Sequence, residues 1–337
     1  MHKRPTMKDV AELANVSQPT VSYVLNNSAK ITDTVKARVW AAIETLQYRP
    51  NNMARTLKTN QSNTIGILIP DISNSYYAQM MNTFTSVLRR IGKTAIVSTT
   101  SYDPHTEVND IGQLLSNNVD AIIVAFQLRN PESVHALQQA GVPVVIVEGQ
   151  KVDKAFGYIG TDNYFGGYEA TRVLLDQGLT KVVYIDQSGA IAALEARREG
   201  YRQAMIDAGL AQSIDVITTE ATNDKWQAGL AIGKAVVQKR PEGVIASSDI
   251  IAAGILRTLF INKLKVPEDI QVIGYDDIPL AKVFVPAIST MAQPIEAVCN
   301  ATVKALVENN EQNKLTLIDQ NFRPTFVARE TTTRLIK

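Results

Sequence analysis

The sequence predicts a small all-α helix-turn-helix head followed by an α/β core of two doubly wound parallel-sheet lobes. Apolar stripes with helical spacing occupy the first 48 residues, and beyond residue 64 seven short apolar runs alternate with helix-sized intervals. Charge divides the chain in the same place: residues 1–60 hold nine Lys/Arg and four Asp/Glu, a net of +5, although the whole chain has a net charge of +1. A basic head on a slightly acidic body favours a polyanionic partner for the head.

Length and composition indicate the class of protein. A chain of 337 residues is too long for one compact core, and its 45% hydrophobic and 20% charged residues are ordinary for a globular protein. No apolar run approaches the roughly 20 residues that a membrane span needs, and no apolar stretch follows the basic N-terminus as in a signal peptide. A single cysteine, Cys299, excludes an internal disulfide and a Cys-based zinc site. We expect a cytoplasmic protein without a membrane partner or a cofactor.

Three short helices are predicted in the head. Thr6 and Asp9 have the spacing of a capping box at the start of the first helix, which is about two turns long. That helix is expected to stop at Asn15, which tolerates the left-handed backbone of a tight turn, and Ser17 then caps the second helix. A third helix follows over about residues 32–46. Two short helices joined by a turn of about three residues, with a third behind them, form a helix-turn-helix.

The second helix, in the stretch VSQPTVSYVL, has one apolar face and one face of hydrogen-bonding, compact or aromatic side chains. The N-terminal part of a recognition helix enters the DNA major groove, so the residues expected to meet base edges are Gln18, Pro19, Thr20 and Tyr23. Other polar side chains are expected to hold phosphates, which set register without reading sequence: Thr6, Ser17, Ser22, Asn26 and Tyr48. The alternative is a small helical domain that packs on protein, but the capping, turn and charge signals together favour DNA.

The segment TMKDVAELANVSQPTVSYVLNNS resembles the DNA-binding head of the LacI/GalR family of bacterial transcription regulators. The likeness continues through YRPNNMARTLKTNQSNTIGILIPDISNSYY, which is similar to the hinge and core entry of the family, and through GYDDI and P-x-I-S-T. Tyr23 departs from the family, which commonly has Arg or His there, so a guanine contact at that position is not carried over. The resemblance implies a helix-turn-helix domain over 1–49, a hinge helix and linker over 50–61, and a two-lobe effector-binding and dimerisation domain over 62–337.

The hinge is predicted from its length and from the resemblance. The eight residues NNMARTLK after Pro50 allow only about two helical turns, which are too short to be stable alone in water. In the family such a segment folds when two copies pair in the minor groove and a leucine enters between base steps to kink the duplex. Leu57 matches that leucine, with Ala54 one turn before it and Lys58 beside it. Without the resemblance, Leu57 reads as a buried core leucine.

Seven apolar runs beyond the linker are candidate strands: IGILIP, TAIVS, DAIIVAF, VPVVIV, KVVYID, EGVIAS and IQVIGY. Their continuous Val/Ile character suits strands buried on both faces of parallel sheets. The pattern restarts near IGTDNYFGGYEAT, which predicts two lobes with a cleft between them, as in periplasmic-binding-protein-like folds. We expect lobe 1 at about 62–160 and 292–320, and lobe 2 at about 161–291 and 321–337.

Ligands of open parallel sheets bind beyond the carboxyl ends of the strands, so the residues at strand ends and in the following loops are the candidates for a binding site. Aromatic, charged or hydroxyl side chains in such places, several of them matching cleft positions of the family, are Tyr76, Tyr77, Glu148, Asp162, Arg197, Trp226, Ser248 and Asp276. A carboxylate opposite an arginine, with an aromatic platform, suits a small polar metabolite. Trp226 either stacks on the ligand or packs elsewhere, and Glu148 and Asp162 either contact the ligand or only stabilise loops.

Signatures of enzymes are weak in this sequence. The triplet GKT at 92–94 is similar to the end of a phosphate-binding loop, but Val87 replaces the leading glycine and the triplet precedes a strand. The three histidines lack the spacing of metal ligands. We therefore expect no catalytic activity.

The resemblance implies a DNA-binding transcription regulator, usually a repressor, whose affinity for a pseudo-palindromic operator is controlled by an effector in the cleft. We expect a homodimer, with a sugar or sugar derivative as the effector and carbohydrate metabolism as the regulated process. A purine-responsive regulator of the same family is the alternative, and a solute-binding protein is a weaker one. Whether a phosphocarrier protein acts as corepressor stays open.

Overall fold

The computed structural model describes residues 5–25, 31–48, 61–187, 191–219, 224–312 and 318–333. The chain divides into two compact units, Met1–Ser62 and Asn63–Lys337, which we call the head and the core unit. Over the described ranges, no helix is both long enough and apolar enough to cross a membrane.

The described part of the head contains three helices, α1 (Met7–Leu13), α2 (Gln18–Leu25) and α3 (Asp33–Leu46). The predicted capping box is present, because the Asp9 amide donates to Thr6 Oγ1 (3.3 Å) and the Thr6 amide donates to Asp9 Oδ2 (2.7 Å). Asn15 has a φ of 50° in the turn between α1 and α2, which matches the prediction of a left-handed residue there. The three helices bury a shared apolar core that includes Val10, Val21, Val24 and Val39. The helix-turn-helix prediction is confirmed.

The first sheet of the core unit has six parallel strands in the order β11-β5-β4-β3-β1-β2. These strands are β1 (Thr64–Ile69), β2 (Thr94–Thr99), β3 (Ala121–Val124), β4 (Val144–Val147), β5 (Gly157–Thr161) and β11 (Asp319–Phe322). The helices that accompany the sheet are α4 (Ser75–Arg90), α5 (Pro104–Ser116), α6 (Pro131–Gln138) and α11 (Ile295–Gln312). Separate apolar clusters join α4 and α11 to one face and α5 and α6 to the other, so the sheet is covered on both sides.

The second sheet also has six strands, in the order β12-β10-β9-β8-β6-β7, and only the β10–β12 pair is antiparallel. Its strands are β6 (Val182–Gln187), β7 (Asp215–Thr219), β8 (Gly243–Ala246), β9 (Gln271–Asp276), β10 (Ser289–Ala292) and β12 (Thr325–Val327). Its helices are α7 (Asn163–Leu175), α8 (Ala192–Asp207), α9 (Lys225–Lys239) and α10 (Asp249–Ile261). Helices α9 and α10 pack on one face, and α7 and α8 pack on the other.

The seven predicted strands correspond to β1 to β4, β6, β8 and β9, and the predicted fold class is confirmed. The structure adds strands that the sequence did not predict, among them β5 and β11. Strand β5 (GYIGT) contains two glycines and β11 (DQNF) is mostly polar, so neither has the apolar run of a buried strand. The chain passes between the sheets after β5, after β10 and after β11, and Gln293, on the segment after β10, lines the cavity described below.

Candidate functional site

Helix α2 of the head exposes the face that the sequence predicts to contact DNA. Val21 and Val24 are buried in the head core, whereas Gln18 and Pro19 are exposed and Tyr23 is 52% exposed. Ser17 holds the start of the helix, because its hydroxyl accepts a hydrogen bond from the Thr20 amide (3.3 Å) and lies 2.8 Å from Thr20 Oγ1. Helix α2 is therefore amphipathic, as the sequence indicates. Thr20 is half-buried, however, and its hydroxyl already has a hydrogen-bond partner.

The residues predicted to hold phosphates differ in their accessibility. Thr6 is exposed and its hydroxyl belongs to the capping box, and Ser22 is half-buried. Tyr48 is only 7% exposed and packs in the head core, so its ring stabilises the head. The remaining predicted DNA contacts lie outside the described residues: Asn26, Ala54, Leu57 and Lys58.

The core unit contains a cavity of about 430 Å³ at the strand ends of both sheets. This volume lies within the range of roughly 300–1,000 Å³ that is typical of small-molecule sites. Five of the predicted effector residues line the cavity: Tyr76, Tyr77, Glu148, Arg197 and Asp276. Both lobes therefore contribute to one site. Its place beyond the carboxyl ends of the parallel strands agrees with the general position of ligands in open parallel sheets, which we call the strand-end rule.

Two tyrosines at the start of α4 give the cavity an aromatic wall. The side chain of Asn74 caps this helix by accepting a hydrogen bond from the Tyr76 amide (3.1 Å). The rings of Tyr76 and Tyr77 meet edge to face, with centroids 5.3 Å apart. Burial raises the pKa of both phenols, so both stay protonated and offer hydroxyl donors together with ring faces.

Asp276 ends strand β9 in an unusual backbone conformation. Its φ is 114° and that of Asp277 is 56°, and a residue other than glycine held in such a region costs about 1–3 kcal/mol. The carboxylate of Asp276 accepts a hydrogen bond from Gln293 Nε2 (2.6 Å). Arg329 pairs with Asp277 and helps to hold this turn. Burial raises the pKa of Asp276, while Arg197 oppositely favours its charged form.

Two residues, Thr161 at the end of β5 and Gln293 after β10, connect the two cavity carboxylates by hydrogen bonds. Thr161 Oγ1 lies 2.7 Å from Glu148 Oε1 and 3.0 Å from Gln293 Oε1, and Gln293 in turn donates to Asp276. A hydroxyl has one proton, so Thr161 donates to only one of these oxygens at a time. Burial raises the pKa of Glu148, while the hydrogen bond from the Thr161 hydroxyl opposes this shift because it favours the charged carboxylate. Thr161 and Gln293 thus connect the environments of Glu148 and Asp276.

Arg197 lies on α8 and is only 6% exposed. Its Nε–H donates to Asn163 Oδ1 (2.8 Å), its Nη1 donates to the carbonyl of Ser247 (2.9 Å), and its guanidinium carbon lies 3.5 Å from the centroid of the Tyr275 ring. These three contacts fix a planar cation at the cavity wall, in a geometry suited to carboxylate or phosphate oxygens.

Three residues that the sequence predicts at the effector site do not line this cavity. Asp162 caps α7 by accepting from the Phe165 amide (2.9 Å), and Ser248 caps α10 by accepting from the Ile251 amide (3.4 Å). Trp226 is half-buried and packs against the apolar core of the second sheet. Helix capping and core packing explain these positions, so the loop-stabilising reading of Asp162 and the packing reading of Trp226 fit the structure.

Several polar residues of the cavity were not predicted from the sequence. The cavity is lined by three such residues, Lys225, Ser247 and Gln293. The motif SSD at a strand end did indicate a polar site, but the predicted residue was its second serine, Ser248, whereas its first serine, Ser247, lines the cavity. Gln293 follows the end of β10, where the strand-end rule applies, but the short run STMA did not indicate a strand. Across the described residues, no three His, Cys, Asp or Glu side chains are placed to share a metal ion.

Comparison with known proteins covers both units of the chain. Residues 6–51 match the bacterial regulatory proteins of the lacI family, and residues 171–332 match a periplasmic binding protein-like domain. The HTH-type transcriptional repressor PurR of Vibrio campbellii is 32% identical over 332 residues, which cover 98% of this chain and 99% of the relative. The ribose operon repressor of Escherichia coli K12 is 32% identical over 314 residues, which cover 92% of this chain and 94% of the relative.

A solved structure supports the same fold. The crystal structure of a Lac repressor dimer bound to operator and an anti-inducer has a TM-score of 0.85 with this structure, at 22% identity, over 98% of this chain and 100% of that chain. The relatives are named as transcriptional repressors and not as enzymes. On its sequence matches to both units and its similarity to these repressors over nearly its full length, the chain belongs to the LacI family of bacterial regulatory proteins.

Proposed function

We propose that this protein is a transcriptional repressor whose head binds operator DNA and whose operator affinity is controlled by a small polar effector in the core cavity. The observation that carries the proposal is that one chain combines a helix-turn-helix with an exposed recognition face and a cavity with charged, aromatic and amide side chains. Its domains are those expected from the sequence, over 1–49, 50–61 and 62–337. Because its target is chromosomal DNA, such a bacterial regulator acts in the cytoplasm.

In the head, Gln18, Pro19, Thr20 and Tyr23 are proposed to face the base edges of the major groove. The exposure of Gln18 and Tyr23 beside a buried Val21 supports this role. A phenol at position 23 is a single donor or acceptor and lacks the paired donors with which Arg reads guanine, so the operator is expected to differ at that base pair from operators of relatives with Arg.

The cavity chemistry favours a polyhydroxylated effector. Two carboxylates, Glu148 and Asp276, accept hydrogen bonds from hydroxyl donors, and the rings of Tyr76 and Tyr77 cover the apolar face of a sugar ring. A purine is the second candidate, because a carboxylate also accepts from ring N–H groups and an aromatic ring stacks on a base. One relative is named a ribose operon repressor and another PurR, so both classes occur among similar proteins.

Coupling between effector and DNA follows from which parts of the chain the effector would touch. Tyr76 and Glu148 belong to the lobe built on the first sheet, whereas Arg197 and Asp276 belong to the lobe built on the second. Thr161, the last residue of β5, and Gln293, on the segment after β10, link the two carboxylates. A ligand that contacts both lobes shifts the equilibrium between two arrangements of the lobes only if it binds one arrangement more tightly than the other. The cavity residues from the two lobes are proposed to provide this difference in affinity.

A homodimer is proposed to present two heads to a pseudo-palindromic operator. The second lobe exposes large apolar side chains at the end of α10 and after β9: Phe260 (71%), Ile261 (60%), Val283 (72%) and Val285 (93%). Exposed apolar groups of this size are typical of protein interfaces. The similar Lac repressor is a dimer on its operator, which supports a second copy of this chain as the occupant of this surface. Two-fold symmetry of the protein then predicts two-fold symmetry of the DNA site.

Selection of binding sites from a random DNA library tests the proposal. Full-length protein is expected to enrich a two-fold symmetric sequence that it binds with a Kd of about 10⁻⁸–10⁻¹¹ M at physiological salt. Tyr23→Ala should weaken binding by about 1–3 kcal/mol, and Glu44→Ala, on an exposed position of α3, serves as the matched control. Failure to enrich any sequence would refute the repressor assignment.

A further inference from the structure

Lys225 is a charged residue of the cavity whose role is not explained by the protein around it. It is the first residue of α9, and its neighbour Asp224 caps that helix by accepting from the Gln227 amide (3.0 Å). The Lys225 side chain is half-buried and lines the cavity. Within the described ranges, its ammonium interacts with other charges only at a distance and makes no hydrogen bond, although a lysine has three N–H donors to satisfy.

Several effects oppose a positive charge at this position. Removal from water disfavours the ammonium, Arg197 of the same cavity repels it, and the N-terminus of a 15-residue helix carries positive partial charge. Burial accordingly lowers the pKa of Lys225, with Arg197 adding to the shift and Asp276 opposing it. A lysine retained here for stability alone would be poorly placed.

Among the described residues, neither cavity carboxylate forms a direct hydrogen bond or ion pair with Lys225, although the charge of Asp276 attracts its ammonium. Asp276 accepts its closest hydrogen bond from Gln293 (2.6 Å), and Glu148 lies 2.7 Å from the Thr161 hydroxyl. Arg197 donates from Nε to Asn163 and from Nη1 to Ser247, and it also has a side-chain hydrogen bond with Tyr275. An arginine has five N–H donors, so Arg197 keeps donors that these contacts do not use. Two cations with unused donors therefore line a cavity whose two carboxylates already have donors of their own.

We propose that the effector carries an oxyanion, a phosphate or a carboxylate, which Lys225 and Arg197 bind while the hydroxyl groups of the effector meet Glu148 and Asp276. This inference rests on the proposed function and narrows the effector class from a sugar in general to a phosphorylated sugar, a sugar acid or a nucleotide. Arg197 has the planar fork that matches an oxyanion, and Lys225 adds a point charge at a helix N-terminus, where backbone N–H groups also favour anions. Lys225 thus acts as a specificity-determining residue.

Calorimetric titration of the full-length protein with matched ligand pairs tests this site. Each pair keeps the sugar or nucleoside and adds an oxyanion: ribose and ribose 5-phosphate, glucose and glucose 6-phosphate, glucose and glucuronate, adenosine and adenosine monophosphate. At least one anionic member is expected to bind tenfold or more tightly than its neutral partner, which is about 1.4 kcal/mol. The phosphate and carboxylate arms show which oxyanion the site takes.

Variants of two lysines on α9 give the control. Lys225→Met should reduce the preference for the anionic member to less than threefold, and Lys225→Arg should keep most of it. Lys234→Met, at an exposed position of the same helix, should leave the preference unchanged. Thermal unfolding of each variant establishes that it is folded before its affinities are compared.

Three outcomes would overturn the proposal: neutral members that bind as tightly as anionic ones, a Lys225→Met variant that weakens both members equally, or no binding by any anionic member. Operator affinity separates this failure from that of the proposed function. If a neutral ligand changes operator affinity, only the oxyanion proposal is refuted. If the wild-type protein selects no operator, the repressor assignment itself is refuted.

Discussion

Helices α7 and α8 touch through their backbones, and Gly167 is the residue that permits this contact. A Cβ on Gly167 would lie 1.9 Å from the carbonyl oxygen of Arg197, and one on Gly200 would lie 2.1 Å from the carbonyl oxygen of Tyr164. Cβ atoms essentially never come closer than 3.0 Å to such an atom, so Gly167→Ala requires the helices to separate locally by at least 1.1 Å. A backbone carbonyl cannot rotate away as a flexible side chain can. The new methyl group therefore displaces the backbone of α8 at Arg197.

The cost of this substitution has two parts. Overpacking of a close-packed interior costs about 1–3 kcal/mol. Displacement of Arg197 also lengthens its hydrogen bonds to Asn163 (2.8 Å) and Ser247 (2.9 Å), and a hydrogen bond to a charged group contributes about 1.5–3 kcal/mol. We expect Gly167→Ala to lower the free energy of unfolding by about 2 kcal/mol or more. The same shift should weaken effector binding, because Arg197 lines the cavity.

Urea unfolding, followed by circular dichroism, measures the effect. Gly112→Ala is the matched control, since Gly112 lies inside α5 and a Cβ there meets nothing within 4 Å. Alanine is favoured over glycine in a helix interior by roughly 0.5–1 kcal/mol, so Gly112→Ala should be neutral or stabilising. If Gly167→Ala unfolds at the same urea concentration as the wild type, the backbone contact between α7 and α8 does not position Arg197 as argued.

Other residues give further predictions. Burial raises the pKa of Glu148, so its contribution to the free energy of unfolding falls as the pH rises from the ordinary carboxyl pKa through the raised pKa of the folded state. Glu148→Gln should lose this part of the pH dependence, which urea unfolding of both proteins at a series of pH values measures. Leu57→Ala should abolish most specific operator binding and DNA bending but leave effector binding intact, and unchanged bending in a gel assay would contradict the hinge assignment. Val285→Glu, at a 93% exposed apolar position, should shift sedimentation towards the monomer, and an unchanged dimer would exclude that surface.

The apolar strands and the capped helices of the head were predictable because their signals are local. A strand such as β1 (TIGILI), buried almost throughout, needs a run of Val, Ile or Leu, and the Thr6–Asp9 capping box is read from a three-residue spacing. Strands β5 and β11 were not predictable in this way. Each gains its place by pairing in the same sheet with segments far away in sequence, so its own residues need not be apolar.

The site was partly predictable for a similar reason. Asp276 and Glu148 follow long apolar runs, so the strand-end rule alone indicates them. Gln293 follows only a four-residue strand, and Lys225 becomes part of the cavity through the packing of α9 against the second sheet. Ser248 and Asp162 have the residue types of a polar site but cap helices, and a single sequence does not distinguish capping from ligand contact.

The central claim is that one effector site and one DNA site regulate each other. The most direct test of this mutual regulation is to measure operator affinity by fluorescence anisotropy, with and without a saturating ligand from the panel. The affinity for the ligand is then measured with and without operator. The ligand is expected to change the operator Kd by about 5–150-fold, and the operator is expected to change the ligand Kd by the same factor. Asp276→Asn is expected to lose this coupling. A ligand that binds the cavity and leaves operator affinity unchanged would contradict the account.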